Sequence, residues 1–291
     1  MKNFLNKVIN ADGLETIKTI PDNSVNLICI DPPYNIGKGR ENWDNVENYF
    51  EWLNDYFIEF ERILADNGSF FIFHNDFRTL GQLDNNIDSN TSFVFKNFIV
   101  WNKRFDKSIK KGYLDGFVST DGLYGFQKMS EYILFYQFDL HHKLLERRKD
   151  LGISQERITM EILSKNGKRT GWYSNIENGL SYPTERTIKP IQKHLGLTME
   201  DLVPKFRNQK THHSIWNYDL DHKKIGHITP KPLKLIKNII LHTTDKDDIV
   251  LDCFGGSGTL AVACKELNRN FIIIEKEDKY CDIAIKRLDG S

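Results

Sequence analysis

Asp31-Pro32-Pro33-Tyr34 is the stretch whose residue types and order could do chemistry. Two prolines stiffen the turn and remove two N–H donors, which leaves carbonyl oxygens free to accept hydrogen bonds next to the Asp31 carboxylate. The ring of Tyr34 adds a flat face beside those acceptors. Such a set would hold a planar ring that carries an NH2 group. The same four residues also read as a strand-ending turn in which Asp31 only caps backbone. Taken alone, they leave both readings open.

A second chemical stretch comes late in the chain: Asp252-Cys253-Phe254-Gly255-Gly256-Ser257-Gly258-Thr259. Glycines between a strand and a helix let backbone approach a ligand closely and aim N–H groups at it. Glu275, about twenty positions on, stands where an acidic residue would hold a pair of ribose hydroxyls. The spacing is Asp-x-Phe-x-Gly-x-Gly, which departs from the dinucleotide Gly-x-Gly-x-x-Gly, and no Gly-Lys-Ser/Thr follows. Dinucleotide and Walker-type nucleotide sites are therefore disfavoured.

The elements that must position these stretches alternate. The apolar run 25–30 reads as a buried parallel strand ending at Asp31, where open α/β sheets bind ligands. Before it, 4–10 reads as a strand and 14–20 as a short helix. Segment 35–45 is polar and Gly-rich, a mobile loop beside the site. Phe50, Leu53, Phe57, Phe60 and Leu64 keep helical spacing, so 49–64 is expected to be a helix that Asn67-Gly68 ends before a strand at 69–73. Strands are further expected at 93–101 and 132–138, flanking a basic loop at 102–128. Around the glycines, 248–252 and 271–274 read as strands and 260–267 as a helix.

At 291 residues with 27% charged and 40% hydrophobic residues, the chain has the make-up of a soluble globular protein with a sizeable core. No apolar run reaches membrane-spanning length and no signal pattern opens it, so a cytoplasmic protein is expected. Cys29, Cys253, Cys264 and Cys281 are scattered without paired spacing, which points to neither a disulfide framework nor a metal site. Forty basic and forty acidic side chains balance, which argues against a uniform basic coat. The distribution is uneven, however. Lys and Arg exceed Asp and Glu by about six over 141–215, and Lys103, Arg104, Lys107, Lys110 and Lys111 cluster before it. A local basic face for a polyanion and a merely solvated charged surface both fit.

With both chemical stretches in view, the chain resembles the β-class of S-adenosylmethionine-dependent DNA amino-methyltransferases of type II restriction-modification systems. The resemblance rests on Asp31-Pro32-Pro33-Tyr34, then His227-Ile228-Thr229-Pro230-Lys231-Pro232, then the Asp252–Thr259 loop, in that order. It covers about 1–138 and 212–288. It implies a permuted Rossmann-like α/β fold, a mixed and mostly parallel sheet with helices on both faces, as one discontinuous catalytic domain over 1–138 and 212–291. Asp31, Pro32, Pro33 and Tyr34 are then the catalytic set, with Asp31 and the Pro32 carbonyl accepting from the target amine and Tyr34 stacking on an extruded base. The cofactor would meet Asp12 at its adenine amino group and Glu275 at its ribose. Asp252, Phe254, Gly256 and Gly258 would form its loop, and Thr229 and Lys231 would lie near its methionine end. His227 would order that turn. The implied activity is site-specific methylation of adenine N6 in duplex DNA. Alternatives are cytosine N4, a DNA-binding regulator with methyltransferase activity, and methylation of a protein amide or RNA base. A cognate restriction endonuclease and a homodimer are compatible further partners.

The remaining segment, 139–211, reads as a helical insertion for target recognition. Leu144, Leu145 and Leu151 share a helical face, Ser154 can cap a second helix, and Trp172 and Ile176 lie on a third that Asn178-Gly179 stops. Two short helices follow. Leu151-Gly152-Ile153-Ser154-Gln155, Ile176-Glu177-Asn178-Gly179 and Pro183-Thr184 are similar to a phage-repressor type helix-turn-helix domain, although 163–169 is longer than its usual turn. The resemblance implies that Arg169, Thr170, Tyr173 and Asn175 face the major groove, with Lys165 and Lys168 near phosphates. A helical spacer with solubilising charge is the other reading.

Overall fold

The structure is a computed structural model that describes residues 1, 3–35, 44–103, 130–208, 212–220 and 230–290. The expectations placed on Thr229 and His227, on most of 35–45, and on the loop cations beyond Lys103 lie outside the described residues.

Eight strands form one sheet in the order β1-β8-β7-β2-β3-β5-β4-β6. These are β1 (Lys7–Asn10), β2 (Val25–Ile30), β3 (Leu64–His74), β4 (Phe93–Asn102), β5 (Ser130–Phe138), β6 (Ile215–Asn217), β7 (Ile249–Asp252) and β8 (Asn270–Glu275). From β1 to β3 every neighbouring pair is parallel, whereas β5 runs antiparallel to both β3 and β4. This is the mixed, mostly parallel α/β sheet that the sequence leads one to expect. The chain leaves β2 toward β3 on one side and β7 toward β8 on the other. The crevice between the carboxyl ends of β2 and β7 is therefore a topological switch point, where open α/β sheets hold ligands.

Both faces of the sheet are covered. One core packs α1 (Gly13–Ile17), α2 (Tyr49–Ile63) and α3 (Phe77–Asn90) against it through Ile17, Leu53, Phe57, Phe60, Leu80 and Ile87. The opposite core brings in α9 (Leu233–Thr243) and α10 (Thr259–Leu267) through Leu235, Ile239, Leu260 and Cys264. Helix α11 (Asp278–Gly290) closes the chain. All four cysteines are buried thiols.

Three local expectations need correction. Helix α2 runs directly into β3 at Leu64, so Asn67-Gly68 lies inside a strand rather than at a helix end. The register between β2 and β3 shifts there, and a Cβ on Gly68 would stand 2.8 Å from the Asn26 carbonyl oxygen. Glycine permits that bulge. The first strand begins at Lys7 rather than residue 4, and the first helix ends at Ile17.

The five helices expected in the insertion are present: α4 (His142–Asp150), α5 (Gln155–Thr159), α6 (Trp172–Glu177), α7 (Ile188–Leu195) and α8 (Met199–Leu202). They enclose their own core of Leu144, Ile158, Tyr173, Ile176, Ile191 and Leu195. Ser154 caps α5 by accepting from the Arg157 N–H. Buried Glu177 takes a bidentate pair from Arg148 at 2.7 and 2.9 Å and a bond from Gln155, which ties α4, α5 and α6 together. Leu151 departs from expectation: it is the exposed C-cap of α4, outside that core.

Candidate active site

Strand β2 is buried along its length and delivers Asp31 to the crevice. The Tyr34 hydroxyl turns back and donates to Asp31 Oδ1 at 2.6 Å, so the short turn is closed by its own side chains. Behind it, the Tyr34 ring lies 4.6 Å from the His74 ring at the end of β3, and the Tyr49 hydroxyl from α2 donates to the Pro33 carbonyl at 2.7 Å. Burial and the neighbouring carboxylates of Asp31 and Glu131 push the Tyr34 phenol well up, so it stays a donor at neutral pH.

Lys231 brings the third motif onto the first. Its ammonium bonds Asp31 Oδ2, approaches the Tyr34 hydroxyl at 3.1 Å and lies 3.4 Å from Glu131 Oε2. Burial opposes that charge, but Asp31 and Glu131 outweigh it and the lysine pKa is raised. Glu131, at the start of β5, also pairs with buried Lys103 at the end of β4. Burial would raise the Glu131 carboxyl, yet the two ammonium groups hold it below its ordinary value. Two carboxylates and two lysines thus form a compact charge-balanced group, of which Glu131 and Lys103 escaped the sequence reading as members of the site.

The glycine loop lines the other half of the crevice. Gly255 donates its N–H to the Ile274 carbonyl at 2.9 Å, and an added Cβ would stand 2.2 Å from Ile273 Cγ2. Only glycine fits there. Gly256 and Gly258 have φ of 49° and 71°, and Gly258 caps α10. The Gly256 N–H donates to Glu275 Oε2 at 2.6 Å and the Glu277 N–H to Oε1 at 2.8 Å. Each oxygen keeps a second lone pair for a hydroxyl donor. Burial raises the Glu275 carboxyl, and those two backbone donors oppose the rise. Asp12 caps α1 at the edge of the same space, and Phe254 packs against Trp52 and Tyr56 at ring distances of 5.6 and 5.0 Å. Asp12, Asp31, Pro32, Pro33, Tyr34, Lys231, Asp252, Phe254, Gly256 and Glu275 all line one cavity of about 640 Å³. Gly258 sits behind its wall, where a Cβ would meet Ala284 at 2.7 Å.

Asp252 is buried beneath the loop, and burial drives its pKa up to about 8, with only the Phe254 N–H and Lys231 acting the other way. Its carboxyl is protonated in the fold where the unfolded chain's is ionised. The stability this confers is full below the unfolded value near 4 and falls as pH rises toward 8. Asp252→Asn is therefore expected to match the parent protein at pH 4 and below and to exceed its Tm by about 5 °C or more at pH 8. Parallel melting curves that stay equally spaced across that range would contradict the neutral assignment.

In the insertion, Lys165, Lys168, Arg169, Thr170 and Asn175 are exposed, and Arg169 pairs with exposed Glu156 at 2.9 Å. Tyr173 is the exception to the groove-facing set. It is fully buried in the insertion core, because it shares the inward face of α6 with Ile176 and Glu177, three and four residues on. Tyr173→Ala is expected to destabilise the insertion by about 3–5 kcal/mol, read by hydrogen exchange over 142–203. Unchanged protection there would return Tyr173 to the surface.

The Asp31–Tyr34 turn and the glycine loop thus face each other across one cavity at the switch point of a mixed α/β sheet. The chain belongs to the N6/N4 DNA methylase family, whose model matches residues 25–286. It is 29% identical to the type II methyltransferase M1.MboII of Moraxella bovis, over 96% of this chain and 95% of the relative. It is 28% identical to the DNA adenine methyltransferase YhdJ of Escherichia coli K12, over 97% of this chain and 82% of that one. Its fold matches the M1.HpyAVI–SAM complex with a TM-score of 0.57 at 22% identity, covering 97% and 98% of the two chains. It also matches the cytosine-N4-specific PvuII DNA methyltransferase with a TM-score of 0.61 at 14% identity, covering 97% and 87%. No helix among the described residues is long and apolar enough to cross a membrane.

Proposed function

We propose that this DNA methylase transfers a methyl group from S-adenosylmethionine to adenine N6 at a specific sequence in duplex DNA, directly to an extruded base. The observation that carries the reading is the placement of Asp31 and Tyr34 at the switch point, across one cavity from Gly256 and Glu275. The residues fit that cofactor. A glycine loop that packs flush on β8 at Gly255, a carboxylate with spare lone pairs at Glu275, and an aromatic wall at Phe254 suit a nucleoside with a charged tail. Asp12 would meet its adenine amino group, Gly256 and Gly258 would shape the loop around its tail, Asp252 would support that loop, and the motif that carries Lys231 would, by the resemblance, lie next to its methionine end. When bound, the cofactor supplies an electrophilic sulfonium methyl.

The chain's own residues do the rest. An exocyclic amine conjugated to its ring is a poor nucleophile. Asp31 and the Pro32 carbonyl accept its two hydrogens and turn its lone pair toward the methyl. Tyr34 stacks on the base once it has left the helix. Asp as first residue of the motif favours adenine, since the cytosine-N4 enzymes resembled more often carry Ser there, and YhdJ is by name an adenine enzyme. The fold shared with the PvuII enzyme keeps cytosine N4 as the alternative. Tritium transfer from labelled S-adenosylmethionine to duplex DNA, followed by nucleoside analysis, is the test. Label in N6-methyladenine is expected, and label only in N4-methylcytosine would move the assignment.

A further inference from the structure

The active site and the insertion occupy opposite ends of the sheet. Asp31, Glu131, Lys231 and the glycine loop gather at the carboxyl ends of β2 and β7. Strand β5 begins there at Ser130 and runs antiparallel to β3, so it delivers the chain to the amino end of β3, where the insertion begins. Every anchor of the insertion and of the segment leaving it that is named below lies at that far end. Lys143 pairs with Asp66, the Lys205 N–H donates to the Asn67 carbonyl, and Lys205 Nζ holds Asp248 just before β7 at 2.5 Å. The Arg207 N–H reaches the His242 carbonyl near the C-terminal end of α9. The nine residues of β5 alone separate the two ends by roughly 26 Å.

The charge of the insertion is also concentrated. Between Glu161 and Glu177 the sequence contains Lys165, Lys168 and Arg169 and no carboxylate, and all three cations are exposed on the segment leading into α6. Such a cluster suits a polyanion, and it belongs to a unit anchored at the end of the sheet away from the cavity that must receive the target base. A duplex that delivers its base to Asp31 would have to turn back around the domain to reach Lys165 and Lys168. Bending even 40–90° within 20–30 base pairs costs about 1–6 kcal/mol.

We infer that the insertion is a second duplex-DNA site, which binds a segment separate from the one whose base is methylated. It rests on the proposed function only in that the cavity end must take duplex as well. The chain then bridges two DNA segments, and the insertion tethers or regulates without choosing the methylated sequence.

The test uses 20-base-pair duplexes carrying the methylated sequence, mapped beforehand by single-molecule sequencing of modified DNA. Native mass spectrometry at low salt is expected to show two duplexes per chain for the unaltered protein and one for Lys165→Glu/Lys168→Glu. That variant should methylate the duplex with KM within about twofold of the parent, because both residues are exposed and remote from the cavity. One duplex per chain in the unaltered protein overturns the inference, as does a tenfold or larger rise in KM, which would make the insertion the reader of the methylated sequence. Two bound duplexes with label found only in N4-methylcytosine would keep the second site and move the base assignment of the proposed function instead.

Discussion

Asp31→Ala is expected to lower methyl transfer to duplex DNA by roughly 10²–10³-fold while S-adenosylmethionine affinity stays within about threefold. The carboxylate is built into the turn, not into the glycine loop. Its Oδ1 accepts from Tyr34 and its Oδ2 from Lys231, both of which lie outside the loop that faces it. On the proposed reading, removing it deletes an acceptor for the developing positive charge on the amine, while Glu275 and Gly256 stay in place. Lys231 keeps Glu131 as a counter-ion in the variant, which limits the structural damage. Single-turnover rates and calorimetric cofactor titration separate the two quantities. A cofactor affinity that falls as far as the rate would place Asp31 in the wrong half of the site.

The second large effect is expected at Gly255. A methyl added there would stand 2.2 Å from Ile273 Cγ2, in the middle of β8, with the Ile274 carbonyl 3.3 Å away. Neither neighbour is the loose end of a flexible chain, so the loop must lift off the strand. Gly255→Ala should cost about 1–3 kcal/mol of stability from overpacking. It should also weaken cofactor binding more than tenfold, since the displaced loop carries the Gly256 N–H away from Glu275. Thermal melting and calorimetry would read the two effects. Unchanged cofactor affinity would show that the loop's contact with β8 is dispensable.

How much of this was legible depended on how local the signal was. The β2 strand announces itself because five of its six residues are apolar, as a strand covered on both faces requires, and the Asp that directly follows it marks its carboxyl end. The glycine loop is equally local, although Gly255, packed more tightly than Gly258, did not stand out from its neighbours. Glu131 was invisible for the opposite reason. It acts through Tyr34, 97 residues earlier, and through Lys231, and only strand pairing brings those partners together. A charged residue heading the apolar run of β5 was the available hint. Gly68 misled because glycine marks a helix stop and a strand bulge alike, and α2 happens to end a few residues before it. Tyr173 was misplaced by phase: on a six-residue helix, one position separates the groove-facing side from the core. The direction in which β5 carries the insertion, which decides the end of the sheet it occupies, belongs to topology and is written in no single segment.

The lysine at the centre of the site carries one more consequence. The Lys231 ammonium is a nitrogen with several hydrogens, seated on Asp31, one of the two acceptors proposed for the substrate's amino group. On that proposal the lysine is a tethered mimic of the substrate amine, a competitor whose effective concentration is fixed by the fold. An entering base would have to out-compete it at Asp31, and the neighbouring Glu131 carboxylate would offer the displaced cation somewhere to go. Selectivity would then arise before any bond is made: a base held too weakly to evict the lysine would escape methylation, however well it fits the cavity.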